Sequence, residues 1–258
     1  MSYADVNGLS MYYEEHGAGD PLVLLHGGLG SVEMFASLLP VLGEGRRVIA
    51  VDFQCHGRTA DIDRPLRPEH FADDVAALIE QLGAAPADVL GYSLGAHTAL
   101  RLAIQHPALV RRLVAISTPC RREGDFPDVL AAMDAMGPEL AEPMKQSPAY
   151  ALYAKIAPNP DDWSTLIAKT AELLKVDFDW SEDVAALPMP VMLVFADTDS
   201  IQPAHVAEFY GLLGGGLRDA GWDLSYRPAA RLAVIPGATH YDILESPVLA
   251  PAVLPFLS

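Results

Sequence analysis

The sequence is poor in three things. Only two of its 258 residues are cysteine, Cys55 and Cys120. They form no C-x-x-C pair and stand in no His/Cys cluster at zinc spacing, so neither a disulfide framework nor a metal site has support, and both read as small buried hydrophobes. Basic residues are scarce, 17 against 34 acidic ones, for a formal charge of −17. Such a chain repels nucleic acid and anionic lipid, and neither is an expected partner. Long apolar runs are missing too: PVMLVFA, from Pro190 to Ala196, falls far short of the roughly 20 residues of a membrane helix. The opening MSYADVNGLSMYYEE has neither a basic nor an apolar leader segment, and the expectation is a cytoplasmic protein.

What is present is enough apolar material for one large core, 51% of the residues. Asn7-Gly8 sits between two alternating runs and predicts a β-hairpin. PLVLLHG from Pro21, RRVIAVDF from Arg46, ADVLGYS from Ala87, RRLVAIST from Arg111, PVMLVFAD from Pro190 and RLAVIPG from Arg231 are Val/Leu/Ile-rich without strict alternation. That is the pattern of parallel strands covered on both faces. Helix-length segments fall between them, at Ser31–Leu42, Pro68–Leu82 and Leu94–His106. Strand, helix, strand predicts an α/β fold, a doubly wound and mostly parallel sheet with an N-terminal antiparallel hairpin.

From Pro119 to Leu187 the rhythm breaks into amphipathic helical pieces punctuated by Pro127, Pro138, Pro143, Pro148 and Pro158. The expected organisation is therefore a core of residues 1–118 and 188–258 with a helical insertion at 119–187. Gly214-Gly215-Gly216 follows a helix rather than a strand and reads as a flexible exit, not a phosphate cradle.

One stretch carries chemistry. GYSLG, Gly91 to Gly95, has a strand before it and a helix after it, the context in which G-x-S-x-G forms a tight turn that thrusts its serine outward. A plain helix N-cap is the other use of a serine there. A nucleophilic Ser93 needs a base and a group to orient that base. Asp197 and Asp199 follow one later strand and His240 follows the next, each just past a strand's C-terminal end, where doubly wound sheets gather their sites.

The chain resembles the α/β-hydrolase superfamily over nearly its whole length. HGG at His26, DFQCHGR at Asp52, GYSLG at Gly91, DTDSIQP at Asp197 and PGATHYDILESP at Pro236 carry the likeness, as does the order Ser, Asp, His. The resemblance implies an α/β-hydrolase fold whose helical insertion is a cap, and a Ser93–His240–Asp199 triad with Asp197 as the other candidate acid. It implies an oxyanion hole from the backbone N–H groups of Gly28 and Leu94. It leaves His26 and His56 structural. Gln54 stands where many relatives have arginine, Ala196 where glycine is common, and Ala96-His97 replaces a frequent Gly-Gly. His97 is expected to be packed rather than to act as a second base.

The expected activity is that of a serine hydrolase, carboxylesterase-like, that cleaves neutral carboxylic esters through an acyl-enzyme and needs neither cofactor nor metal. Its partner would be a small-molecule ester. Perhydrolase, C–C hydrolase or lactonase chemistry on the same triad, or a non-enzymatic small-ligand receptor, are the alternatives. Within the cap, Trp163, Tyr153 and Met144 are candidates for an apolar pocket lining. Most of the cap's cations, Arg121, Arg122, Lys145, Lys155, Lys169 and Lys175, are expected to be solvated. Substrate identity, stereopreference and oligomeric state are not encoded in any motif.

Overall fold

The computed structural model describes residues 2–258. Eight strands form one sheet: β1 Ser2–Val6, β2 Leu9–Gly17, β3 Asp20–Leu25, β4 Arg46–Val51, β5 Ala87–Tyr92, β6 Val110–Ile116, β7 Val191–Thr198 and β8 Arg231–Thr239, in the order β1-β2-β4-β3-β5-β6-β7-β8. β1 and β2 pair antiparallel and β2 runs antiparallel to β4; from β4 onward every pairing is parallel. Asn7 and Gly8 both have positive φ, 49° and 82°, the conformation a two-residue hairpin requires and an Asn-Gly pair adopts at least cost.

β3 and β5 show why such runs need not alternate. Val23, Leu25 and Val89 face one side and join the core beneath α2 (Pro68–Gln81) and α3 (Leu94–Gln105), while Leu22, Leu24 and Leu90 face the other. There they meet the layer built around α1 (Leu39–Leu42) and the C-terminal helix. With both faces covered, each position is apolar.

The helix expected over Ser31–Leu42 is broken. A short 3-10 turn, Val32–Phe35, is followed by α1, a single turn. The buried Asp52 carboxylate caps the first turn by accepting from the amide of Val32 (2.8 Å), and the break comes at Pro40, which has no N–H to give and sits in a first turn.

Between β6 and β7 lie α4 (Pro127–Ala135), α5 (Pro148–Ile156), α6 (Trp163–Leu174) and α7 (Ser181–Ala185). Pro127 and Pro148 occupy the first helical position, where a missing N–H costs nothing, so these prolines start helices. α8 (Pro203–Leu212) and α9 (Leu249–Leu257) complete the chain. No described helix is long and apolar enough to cross a membrane.

Candidate active site

Ser93 stands between the end of β5 and the start of α3 with φ 52° and ψ −117°, a conformation costing on the order of 1–3 kcal/mol for a residue with a side chain. The flanking glycines permit it. A Cβ on Gly91 would run into the Gly95 carbonyl, and one on Gly95 into the carbonyl of Leu25. The turn thus holds β5, β3 and α3 at backbone contact and leaves the Ser93 side chain on the outside. Its amide donates to Ile116 O (2.9 Å).

Three chain segments meet at this hydroxyl. His240 Nε2 lies 3.1 Å from Ser93 Oγ, and His240 Nδ1 lies 3.0 Å from Asp199 Oδ1. With Nδ1–H donating to the carboxylate, Nε2 is left as the acceptor facing the serine. Tyr92 OH donates to the His240 carbonyl (2.6 Å) and ties the β8 loop to the elbow.

The Asp199 side chain is 1% exposed and every lone-pair direction is used. Oδ1 also accepts from Ser200 N (2.8 Å), while Oδ2 accepts from Ser117 Oγ (2.6 Å) and Ala196 N (2.9 Å). Burial acts to raise this carboxyl's pKa, but the bonds from His240 and Ser117 outweigh it and the net result lies below the usual carboxylate value. Asp197 is exposed and accepts from Gly237 N (2.9 Å); it forms no hydrogen bond with His240.

Gly28 and Leu94 adjoin: a Cβ on Gly28 would touch the Leu94 side chain. Both line the space in front of Ser93. Neither amide donates to another described residue, so both N–H groups are uncommitted.

His26 and His56 are held by backbone away from the triad. His26 is fully buried between Gly27 O (2.7 Å from Nδ1) and Phe53 N (3.1 Å from Nε2), and burial lowers its pKa to about 3. His56 is bound to Gln54 O and lowered to about 4 by burial. Gln54 itself is buried and binds Asp61, Ile62 O and Arg64 O, which holds the 61–64 loop. Burial pushes the Cys55 and Cys120 thiols up to about 12 and about 11, which leaves both inert at neutral pH. Among the described residues no group of three or more His, Cys, Asp or Glu is placed to hold a metal.

Ser93 opens into a cavity of about 410 Å³. Its apolar wall comes from Met133, Leu173, Leu174, Val176, Phe178 and Trp180, and its polar groups include His97, Asp125, Arg122 and Arg67. The three side chains expected to line it do not. Trp163 is fully buried with its Nε1 on Ala141 O (3.0 Å), Tyr150 and Tyr153 pack on it with ring centroids 5.3 Å away, and Met144 packs against the same core. That cluster knits α5 to α6 and leaves the far end of α6 for the cavity.

Two of the six cap cations are also not solvated. Arg122 is 17% exposed in the cavity wall, and Lys169 donates to Asp61, Ile62 O and Arg64 O. Sequence reasoning misses Asp125 and Arg67 altogether. The segment 178–180 reaches the cavity by pairing with 120–122, through Arg122 N to Phe178 O (3.0 Å) and Trp180 N to Cys120 O (2.9 Å), a tertiary contact that no periodicity announces.

The chain as a whole is similar to known proteins. Residues 22–253 match the profile of the Alpha/beta hydrolase family. The chain is 27% identical to a 2-(acetamidomethylene)succinate hydrolase of Mesorhizobium japonicum, across 94% of this chain and 89% of that one. It is 33% identical to a pimeloyl-[acyl-carrier protein] methyl ester esterase of Neisseria meningitidis, across 72% and 77%. The crystal structure of E-2-(acetamidomethylene)succinate hydrolase superposes with a TM-score of 0.76 at 25% identity, covering 99% of this chain and 97% of that one. The sheet order, the elbow and the family match agree: the chain belongs to the alpha/beta hydrolase family.

Proposed function

We propose that this hydrolase cleaves neutral carboxylic esters through an acyl-enzyme on Ser93. The observation that carries the reading is the unbroken hydrogen-bonded path from Ser93 Oγ through His240 to a fully satisfied Asp199, opening onto a cavity. Ser93 Oγ attacks the ester carbonyl carbon while His240 Nε2 takes its proton. As the tetrahedral centre collapses, His240 returns that proton to the leaving alkoxide, and the alcohol departs. Water repeats the sequence on the acyl-serine and releases the acid. Asp199 keeps the imidazole in the tautomer that presents Nε2 and stabilises its protonated form.

The free amides of Gly28 and Leu94 are the donors for the oxyanion, where each typically contributes about 3–4 kcal/mol. Residues 119–187 act as the cap, contributing Met133, Phe178 and Trp180 to the wall. At about 410 Å³ the cavity lies low in the range of about 300–1,000 Å³ usual for ligand pockets, which supports short to medium acyl groups. The name of the Neisseria relative, a methyl ester esterase, agrees with this chemistry.

A fluorophosphonate should label Ser93 alone, shown by peptide mass spectrometry, and p-nitrophenyl butyrate should be turned over. Labelling elsewhere, or no turnover of any short ester, would refute the assignment.

A further inference from the structure

We infer that Asp125 is a substrate-specificity residue, and that the preferred ester carries a hydrogen-bond donor, a hydroxyl or amide N–H, on its acyl group. The inference rests on the ester-hydrolase reading above and narrows it. Asp125 is 4% exposed and lines the same cavity as Ser93. Its carboxyl is poorly provided for. Oδ1 receives one long contact from Ser200 Oγ (3.4 Å), and Oδ2 accepts nothing from any described residue. A carboxylate offers about four acceptor directions, and the free Oδ2 of Asp125, unlike His97 Nε2 and Arg122 Nε, is open to the cavity. Asp199, on the other side of Ser200, has all of its own directions filled.

The position is built rather than loose. Asp125 bridges Ile201 in antiparallel fashion, Phe126 N donates to Ser200 O (3.0 Å), Gln202 N to Gly124 O (2.9 Å), and Gln202 Nε2 to Asp125 O (2.7 Å). The backbone of Asp125 is thereby stapled to the segment just after Asp199. Ser200 Oγ, its only side-chain partner among the described residues, is also 3.1 Å from His240 Nδ1, so the carboxyl stands on the triad side of the cavity. Burial pushes its pKa up to about 6, against the pull of His240; the group is still an acceptor at neutral pH.

Two other cavity-lining side chains each carry one nitrogen that is buried and, among the described residues, has no partner: His97 Nε2 and Arg122 Nε, the latter in a guanidinium whose Nη2 donates to Asp134. Burial lowers His97 to about 4, so it is a neutral imidazole. An apolar wall with a few convergent, unfilled polar groups is the form of a site that orients a polar small molecule. A simple alkanoyl group would leave the Asp125 carboxylate without a donor. A carboxylate on the substrate would face Asp125 and be repelled, even with Arg122 and Arg67 in the wall. A hydroxyl or amide N–H donates to the open Oδ2 of Asp125.

Isosteric ester pairs test this: methyl lactate against methyl isobutyrate, and methyl β-hydroxybutyrate against methyl isovalerate, with monomethyl succinate as the anionic arm. The wild-type enzyme should favour the hydroxy ester of at least one pair by about tenfold or more in kcat/KM, with that ratio falling about tenfold to a hundredfold in Asp125→Asn. Ratios within about threefold of unity, a ratio unchanged in the variant, or monomethyl succinate as the best substrate would each overturn the inference. Binding of the same esters to Ser93→Ala by calorimetry separates it from the hydrolase reading. Tighter binding of the hydroxy ester without wild-type turnover would sustain the site and sink the esterase. Equal binding of both pair members would sink the site whatever the turnover.

Discussion

The path from Ser93 to Asp199 and the cavity beside it treat buried polar atoms in opposite ways. Along the path each group has its partners: Asp199 accepts four bonds and His240 uses both ring nitrogens. Beside the cavity, His97 Nε2 and Arg122 Nε are buried without a partner among the described residues, and Asp125 has one long contact on Oδ1 and an Oδ2 left open to the cavity. A filled network holds its members to one geometry, which is what proton transfer needs. An unfilled one costs stability until something occupies it. The comparison sets groups that act on each other apart from Asp125, the open carboxylate we assign to a substrate donor.

Breaking the filled side should have the largest effects. Ser93→Ala should fold, because the elbow is shaped by its glycines, and should lose about 10⁵-fold or more in kcat on short esters. Retention of about one hundredth of the activity would remove Ser93 from the mechanism. Asp199→Asn should lower kcat by about 10⁴-fold with little change in KM, since an amide no longer holds the imidazole in the required tautomer. Asp197→Asn, its side chain engaged only with Gly237 N and Thr198, should leave kcat near wild type. Steady-state kinetics of the two aspartate variants decide between them, and a reversed ranking would move the orienting role to Asp197.

The two sides also differ in how plainly the amino-acid sequence announces them. The sheet, hairpin and elbow are legible because short-range chemistry dictates them: Asn7-Gly8 has a turn it favours, and Gly91 and Gly95 sit where a Cβ would strike backbone. Asp199 and His240 are legible as positions because each follows a strand end. The cavity wall is not. Apolar spacing in α5 and α6 says that a face is buried but not against what, and Trp163 turns to Tyr150 and Tyr153 instead of toward Ser93. Asp125 and Arg122 lie in a short turn with no pattern at all, and their burial follows from pairing with segments some 55 to 80 residues away. The helix expected over Ser31–Leu42 fails because Pro40, with no N–H to give, opens a new turn instead of continuing the one before it.

Asp125→Asn should sharpen the comparison through stability. The folded-state pKa of about 6 lies above the ordinary value of 3.8, so the native protein holds this proton more tightly than the unfolded chain. The associated stability is present below the ordinary value and is lost as pH rises through about 6, by at most about 3 kcal/mol. His240, Asp199, Arg122 and Ser200 surround the group in both proteins, and Asp52, also raised to about 6 by burial, is common to both. Urea unfolding at pH 4.5 and pH 8 should therefore show the variant gaining on wild type by about 1–3 kcal/mol between the two conditions. An unchanged difference would mean that Asp125 is already satisfied in the empty protein, and the contrast with Asp199 would fail.

The smallest expected effect concerns Ser117, whose hydroxyl supplies one of the four bonds on Asp199. Ser117 is buried and has φ 53°, a second non-glycine residue in the left-handed region at the end of a strand next to β5. Ser117→Ala removes the hydroxyl and keeps the strained backbone. Ser117→Gly removes both, and should be the more stable of the two by about 1 kcal/mol unless its unfolded-state entropy offsets the relief. If Ser117 acts by positioning Asp199, both variants should lose about tenfold in kcat, or about 1.4 kcal/mol, with KM unmoved, because the three remaining donors hold the carboxylate less firmly. If it is merely structural, kcat should follow stability and the two variants should differ. Thermal melts beside kcat and KM for the pair distinguish the cases: equal kcat losses at unequal Tm make the hydroxyl part of the filled network, and losses that track Tm remove it.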